Sequence, residues 1–108
     1  MMLVTLDEAK TRLRIDADAM DSDLELMILG ASAAAIRYLK AGALSFLSAE
    51  GQPLEGVATP DDVKNAVLLL VGIWLRDPDG AEMKDWDHGY LPRPVTALLY
   101  PLRDPALA

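Results

Sequence analysis

Cysteine is absent from this 108-residue chain. That removes a disulfide framework, a thiolate nucleophile and thiolate metal ligands, and it fits folding inside a cell. Histidine is nearly absent: His88 is the single one, and one imidazole in a polar stretch supplies neither a catalytic pair nor a ligand cluster. Long apolar runs are missing. The longest, Ala66 to Leu75 with Gly72 inside it, is about half of the ~20 residues a membrane helix requires. The opening Met-Met-Leu-Val-Thr carries no basic region or cleavable pattern, so no targeting segment is expected. Gly42, Gly51 and Gly56 lack the spacing of a phosphate-cradling loop. Basic side chains are few: ten Lys and Arg stand against seventeen Asp and Glu, a net charge of −7. Ordinary DNA or anionic-membrane binding rests on clustered cations, and here they are few and scattered. Repeats and low-complexity tracts are also lacking.

What is present is apolar and helical in pattern. The apolar content of 52% marks a globular chain. Its length suits one domain, residues 1–108, with one modest core. The pattern centres on Thr59 to Arg76. Thr59 is a good N-cap, Pro60 suits the first helical position, and Asp61 and Asp62 complement the positive end of the dipole. Asp77-Pro78-Asp79-Gly80 ends the helix. Helical spacing aligns Val63, Ala66, Val67, Leu70 and Trp74, while Leu68, Leu69 and Leu75 fall on other faces. A helix apolar nearly all round is expected to be buried on every side, and to want more cover than one small subunit supplies.

Two capping boxes precede it. Thr5-Leu6-Asp7-Glu8 opens a helix from Leu6 to about Leu13, and Ser22-Asp23-Leu24-Glu25 opens a longer one reaching about Lys40. The longer helix carries two apolar stripes. Leu24, Met27, Ile28, Ala31, Ala35 and Tyr38 form one, and Leu26, Leu29, Ala33 and Ile36 lie nearly opposite. The first packs on the helix from Pro60; the second needs its own partner. Between the helices, Ala41 to Ala58 reads as a connection with a ragged hairpin turning at Glu50-Gly51-Gln52, across which Leu44, Phe46, Leu54 and Val57 alternate. A second long connection, Asp77 to Pro92, holds Trp86, His88 and Tyr90. The two loops leave opposite ends of a rod about 25 Å long, an arrangement suited to a spacer between two partners. Pro94 starts a closing helix with the stripe Val95, Leu98, Leu99 and Leu102, limited by Pro101 to about two turns.

The acids invite chemistry without completing it. Around Asp16 and Asp18 a calcium loop would need Gly where Asp21 stands and Glu where Met27 stands. No carboxylate pair stands out as an acid–base couple. Asp21-Ser22-Asp23-Leu24 resembles the Asp-Ser-Leu site of acyl-carrier proteins, which implies a phosphopantetheine arm on Ser22, but Asp23 interrupts the motif. That carrier-like module is the alternative function. No catalytic residue, cofactor or metal ligand is expected.

Laid out in order, the chain resembles the head–tail connector (adaptor) proteins of tailed bacteriophages. The matching pieces are Val4-Thr5-Leu6-Asp7-Glu8-Ala9-Lys10, Leu13-Arg14-Ile15-Asp16, the acidic start of the second helix, the helix from Pro60 ending Trp74-Leu75-Arg76, and Leu91-Pro92, Val95, Leu98-Leu99, Pro101 and Arg103. The resemblance implies an all-α bundle of about four helices with two long loops, assembling into a cyclic ring of about a dozen copies. It further implies docking on the portal after DNA packaging, an extended DNA channel, and a platform for the next tail-side connector or terminator protein. Assembly would occur in the host cytoplasm and the product would sit in the virion. DNA would pass without specific binding, since like charges on the channel wall repel it. Apolar residues off the core stripes are the expected subunit contacts: Leu26, Leu29, Ala33, Ile36, Leu68, Leu69 and Leu75. Phe46, Leu54, Trp86, Tyr90 and Arg103 are the expected contacts with axial partners, aromatic side chains being common anchors.

Overall fold

Thr5 starts the first helix as its sequence predicts. Its hydroxyl accepts the Glu8 N–H at 3.0 Å while Glu8 Oε1 accepts the Thr5 N–H at 2.9 Å. These hydrogen bonds close helix α1, Leu6–Leu13. In the computed structural model, which describes residues 1–76 and 91–103, three further helices follow: α2 (Asp21–Leu39), α3 (Asp61–Arg76) and α4 (Arg93–Leu99). Short 3₁₀ turns cover Ala41–Ser45 and Tyr100–Leu102. Among the described residues the fold is an all-α bundle of four helices, as the spacing predicts.

α1 ends on a left-handed residue that is not glycine. Arg14 adopts φ 58°, its N–H reaches Thr11 O, and Ile15 N–H reaches Lys10 O at 2.9 Å. This pair of bonds satisfies the last carbonyls of the helix and sends the chain back toward α2. Lys10 then fixes the link, its ammonium lying 2.8 Å from both Asp18 Oδ1 and Asp21 Oδ1.

That clamp explains a correction. The box expected at Ser22 does not form: α2 starts at Asp21, and Met20 at its N-cap makes no side-chain cap. With Asp21 drawn to Lys10, and its N–H turned to Asp18 O at 3.2 Å, Ser22 falls inside the first turn. Asp21 and Asp23 still place negative charge at the positive end of the dipole.

The core is one cluster to which every helix contributes. α2 buries Leu24, Ile28, Ala31, Ala35 and Leu39, and α3 buries Val63, Ala66, Val67, Leu70 and Val71. α3 packs against α1, α2 and α4. α1 covers part of the α3 face expected to be spare, burying Leu68, while Leu69 and Leu75 stay half-buried. Leu13 of α1 packs over Gly72, its Cδ2 3.4 Å from where a Cβ would stand. α4 closes another side with Val95 and Leu99.

The connection before α3 contains the turn the sequence places at Gly51. Leu47 and Pro53 form an antiparallel bridge, Ser48 N–H donates to Gln52 O at 2.7 Å, and Gly51 takes φ 80°. Among the described residues a single bridge joins the two sides of this turn, so the expected alternation is not sustained. Phe46 turns inward while Leu44 and Val57 are exposed.

Candidate functional site

The outward face of α2 is the chain's plainest unsatisfied feature. Leu26 is 70% exposed and Leu29 41% exposed. Ala33 is exposed and Ile36 half-buried on the same side. Their helical spacing makes them one stripe. It exists because α2 has two apolar faces and α3 can cover only one. Asp23 and Glu25, both exposed, flank its N-terminal half. At its edge Trp74 of α3 lies against Gly30, where a Cβ would stand 3.5 Å from Trp74 Cζ3.

The remaining expected contact residues gather elsewhere. Leu68, Leu69 and Leu75 lie with Leu13 and Gly72 in a groove of about 390 Å³ between α1 and α3. Leu68 is 6% exposed and forms the floor, sealed beneath α1, so it presents little to a neighbour. Leu69 and Leu75 are half-buried and reachable. Arg12, Arg14 and Arg76 stand around this groove. Among the described residues none of the three is in an ion pair, although Arg12 hydrogen-bonds Asn65 Oδ1. Sequence reading overlooked this rim. The signal was the Arg12-x-Arg14 spacing at the close of α1, which carries meaning only once Arg76 is brought beside it.

The expected axial contacts are scattered. Phe46, at 2% exposed, is a core residue and offers no contact surface; its ring anchors the turn that carries Leu54. Leu54 is half-buried and donates its N–H to Phe46 O at 3.1 Å. Arg103 stacks its guanidinium over the Tyr38 ring, 4.7 Å from the centroid, tying the segment after α4 to α2. Trp86 and Tyr90 lie outside the described residues.

The ion pairs are structural. Glu8 is held below the ordinary carboxylate range, first by the Thr5 N–H and then by Lys64, whose ammonium lies 3.1 Å from Glu8 Oε2. Asp18 is lowered by its hydrogen bond from Lys10, and Lys10 is raised in return by Asp18 and Asp21. Among the described residues no group of three His, Cys, Asp or Glu side chains could hold a metal ion, and no helix is long and apolar enough to cross a membrane. Ser22, the carrier-like serine, is exposed in the first turn of α2.

Residues 3–103 match a family model described as "Phage gp6-like head-tail connector protein". No curated protein and no solved structure matches the chain.

Proposed function

Because this chain belongs to the phage gp6-like head–tail connector family, whose members are structural components of the virion, we propose that it is an adaptor subunit that works as a ring. Copies pack side by side under the portal, each acting as a single helical domain. The ring prolongs the DNA channel and gives the next tail-side protein a platform. No bond is made or broken in this role.

The observation that carries the ring is the apolar outer stripe of α2, with Leu26 at 70% exposed. Leaving it in water forgoes about 1.5–3 kcal/mol for each large side chain that a neighbour would cover. Among the expected contacts, Leu26, Leu29, Ala33 and Ile36 form this face, and Leu69 and Leu75 belong to a second. The net charge of −7 supports a wall along which DNA slides without sticking. Leu54, Trp86, Tyr90 and Arg103 remain the proposed axial contacts, Phe46 being internal.

The test is docking on purified portal. The expected result is a portal–adaptor complex visible by electron microscopy as a second ring, with Trp86→Ala folding normally but docking more weakly. Failure of the wild-type chain to bind portal at any concentration would end the proposal.

A further inference from the structure

We infer that the ring contact is head-to-tail: the N-terminal half of the α2 outer stripe of one copy sits in the arginine-rimmed α1/α3 groove of the next. This rests on the connector reading above and names the two surfaces that meet. Three observations carry it.

The first is shape and polarity. Leu26 and Leu29 form a convex apolar ridge, and the groove supplies Leu13, Leu68, Leu69, Gly72 and Leu75 as an apolar trough of about 390 Å³. Ridge into groove is how two helical surfaces ordinarily pack.

The second is charge. Asp23 and Glu25 flank the ridge and are exposed, while Arg12, Arg14 and Arg76 surround the groove. On a chain of net charge −7 with ten basic residues, three cations around one trough are a local reversal of sign. They are also without ion pairs among the described residues. Complementary rims of this kind fix register and suppress wrong pairings. Arg37, further along α2, would oppose the same contact if the stripe were shifted toward its C-terminal end, so the charges select the N-terminal half.

The third is direction. Trp74 marks the side of α3 that meets α2, through Gly30. At 3.6 residues per turn, the mean direction of Leu68, Leu69, Gly72 and Leu75 lies about 150° around α3 from Trp74. The ridge and the groove therefore face roughly opposite ways. Two different patches pointing apart make a heterologous contact, which propagates around a ring; a patch meeting its own copy would close a dimer.

The absence of cysteine permits a clean test. Full-length Ala33→Cys and Leu69→Cys variants, one of them tagged, are mixed and treated with a short bis-maleimide, alone at high concentration and again with portal. The expected product is a mixed dimer several-fold in excess of either self-dimer. A second arm pairs Asp23→Lys/Glu25→Lys with Arg14→Glu/Arg76→Glu: each variant alone fails to assemble, and the mixture assembles. Predominant Ala33→Cys self-dimers, no cross-link in either condition, or reversed-charge variants that assemble as well alone as together would overturn the pairing. A chain that docks on portal but gives one of those results keeps the connector reading and loses this one.

Discussion

Ser32 Oγ accepts the backbone N–H of Leu3 at 3.0 Å, inside the bundle and 29 residues away along the chain. Ser32 is 0% exposed, among the described residues the one buried polar residue beside an otherwise apolar core. The bond ties the N-terminal segment to the middle of α2 beside the buried Leu3 and Val4. Ser32→Ala would leave that buried N–H without a partner. The expected loss is about 1–3 kcal/mol of folding stability, read from urea unfolding. A variant as stable as the parent would mean that another acceptor takes the Leu3 N–H.

Acid should loosen α1. Glu8 is held below its ordinary value of 4.5 by the Thr5 N–H and Lys64. A carboxylate lowered by folding adds stability above its unfolded value, and that stability is lost as pH falls through the folded value. Glu8→Gln keeps an acceptor for Thr5 but loses the charge. The variant should be less stable near neutrality by roughly 0.5 kcal/mol, a small figure because the pair is partly solvent-screened. The gap should close below pH 4.5. A gap that stays constant across that range contradicts the assignment.

Lys40 closes α2 at φ 53°, ψ −129°, a conformation that favours glycine. Its N–H reaches Ile36 O and its carbonyl accepts the Ala43 N–H, both at 3.2 Å, and glycine would keep both bonds. Relief of backbone strain outweighs the greater entropy of glycine in the unfolded chain. Lys40→Gly is expected to raise stability by about 1 kcal/mol, seen as a higher melting temperature. A lower one would contradict the reading.

The Arg103–Tyr38 stack holds the end of the described chain against α2. Arg103→Ala should cost about 0.5–1 kcal/mol. Tyr38→Leu should cost a similar part, and the double variant less than the sum. Strictly additive losses in a thermal double-mutant cycle would show that the stack contributes nothing.

Most of the fold was legible because the capping signal at Thr5 and the 3.6-residue stripes are local. Thr5 and Glu8 sit three residues apart and need nothing else to cap α1. The split of α2 into Leu24–Ile28–Ala31–Ala35 and Leu26–Leu29–Ala33 was equally visible, and the second stripe is exposed as its pattern implies. What failed depended on pairings distant in sequence. Ser22 loses its capping role because Lys10, eleven residues before Asp21, draws Asp21 into the first turn. Leu68 is buried where α1 packs against α3. Phe46 sits inside the core, where a lone aromatic in a loop gave no sign of its direction. The arginine rim joins residues 12, 14 and 76, which no window along the chain brings together.

The exposed stripe on α2 is best judged by mass. Sedimentation of the wild-type chain and of Leu26→Glu/Leu29→Glu, each alone and with portal, measures it directly. Both positions are exposed, so the variant should fold with wild-type helicity. The wild-type chain should reach a ring-sized mass, at the latest on the portal, and the variant should remain a monomer in both conditions. A folded variant that reaches the same mass as the wild type would show that this face of α2 is not where the copies meet.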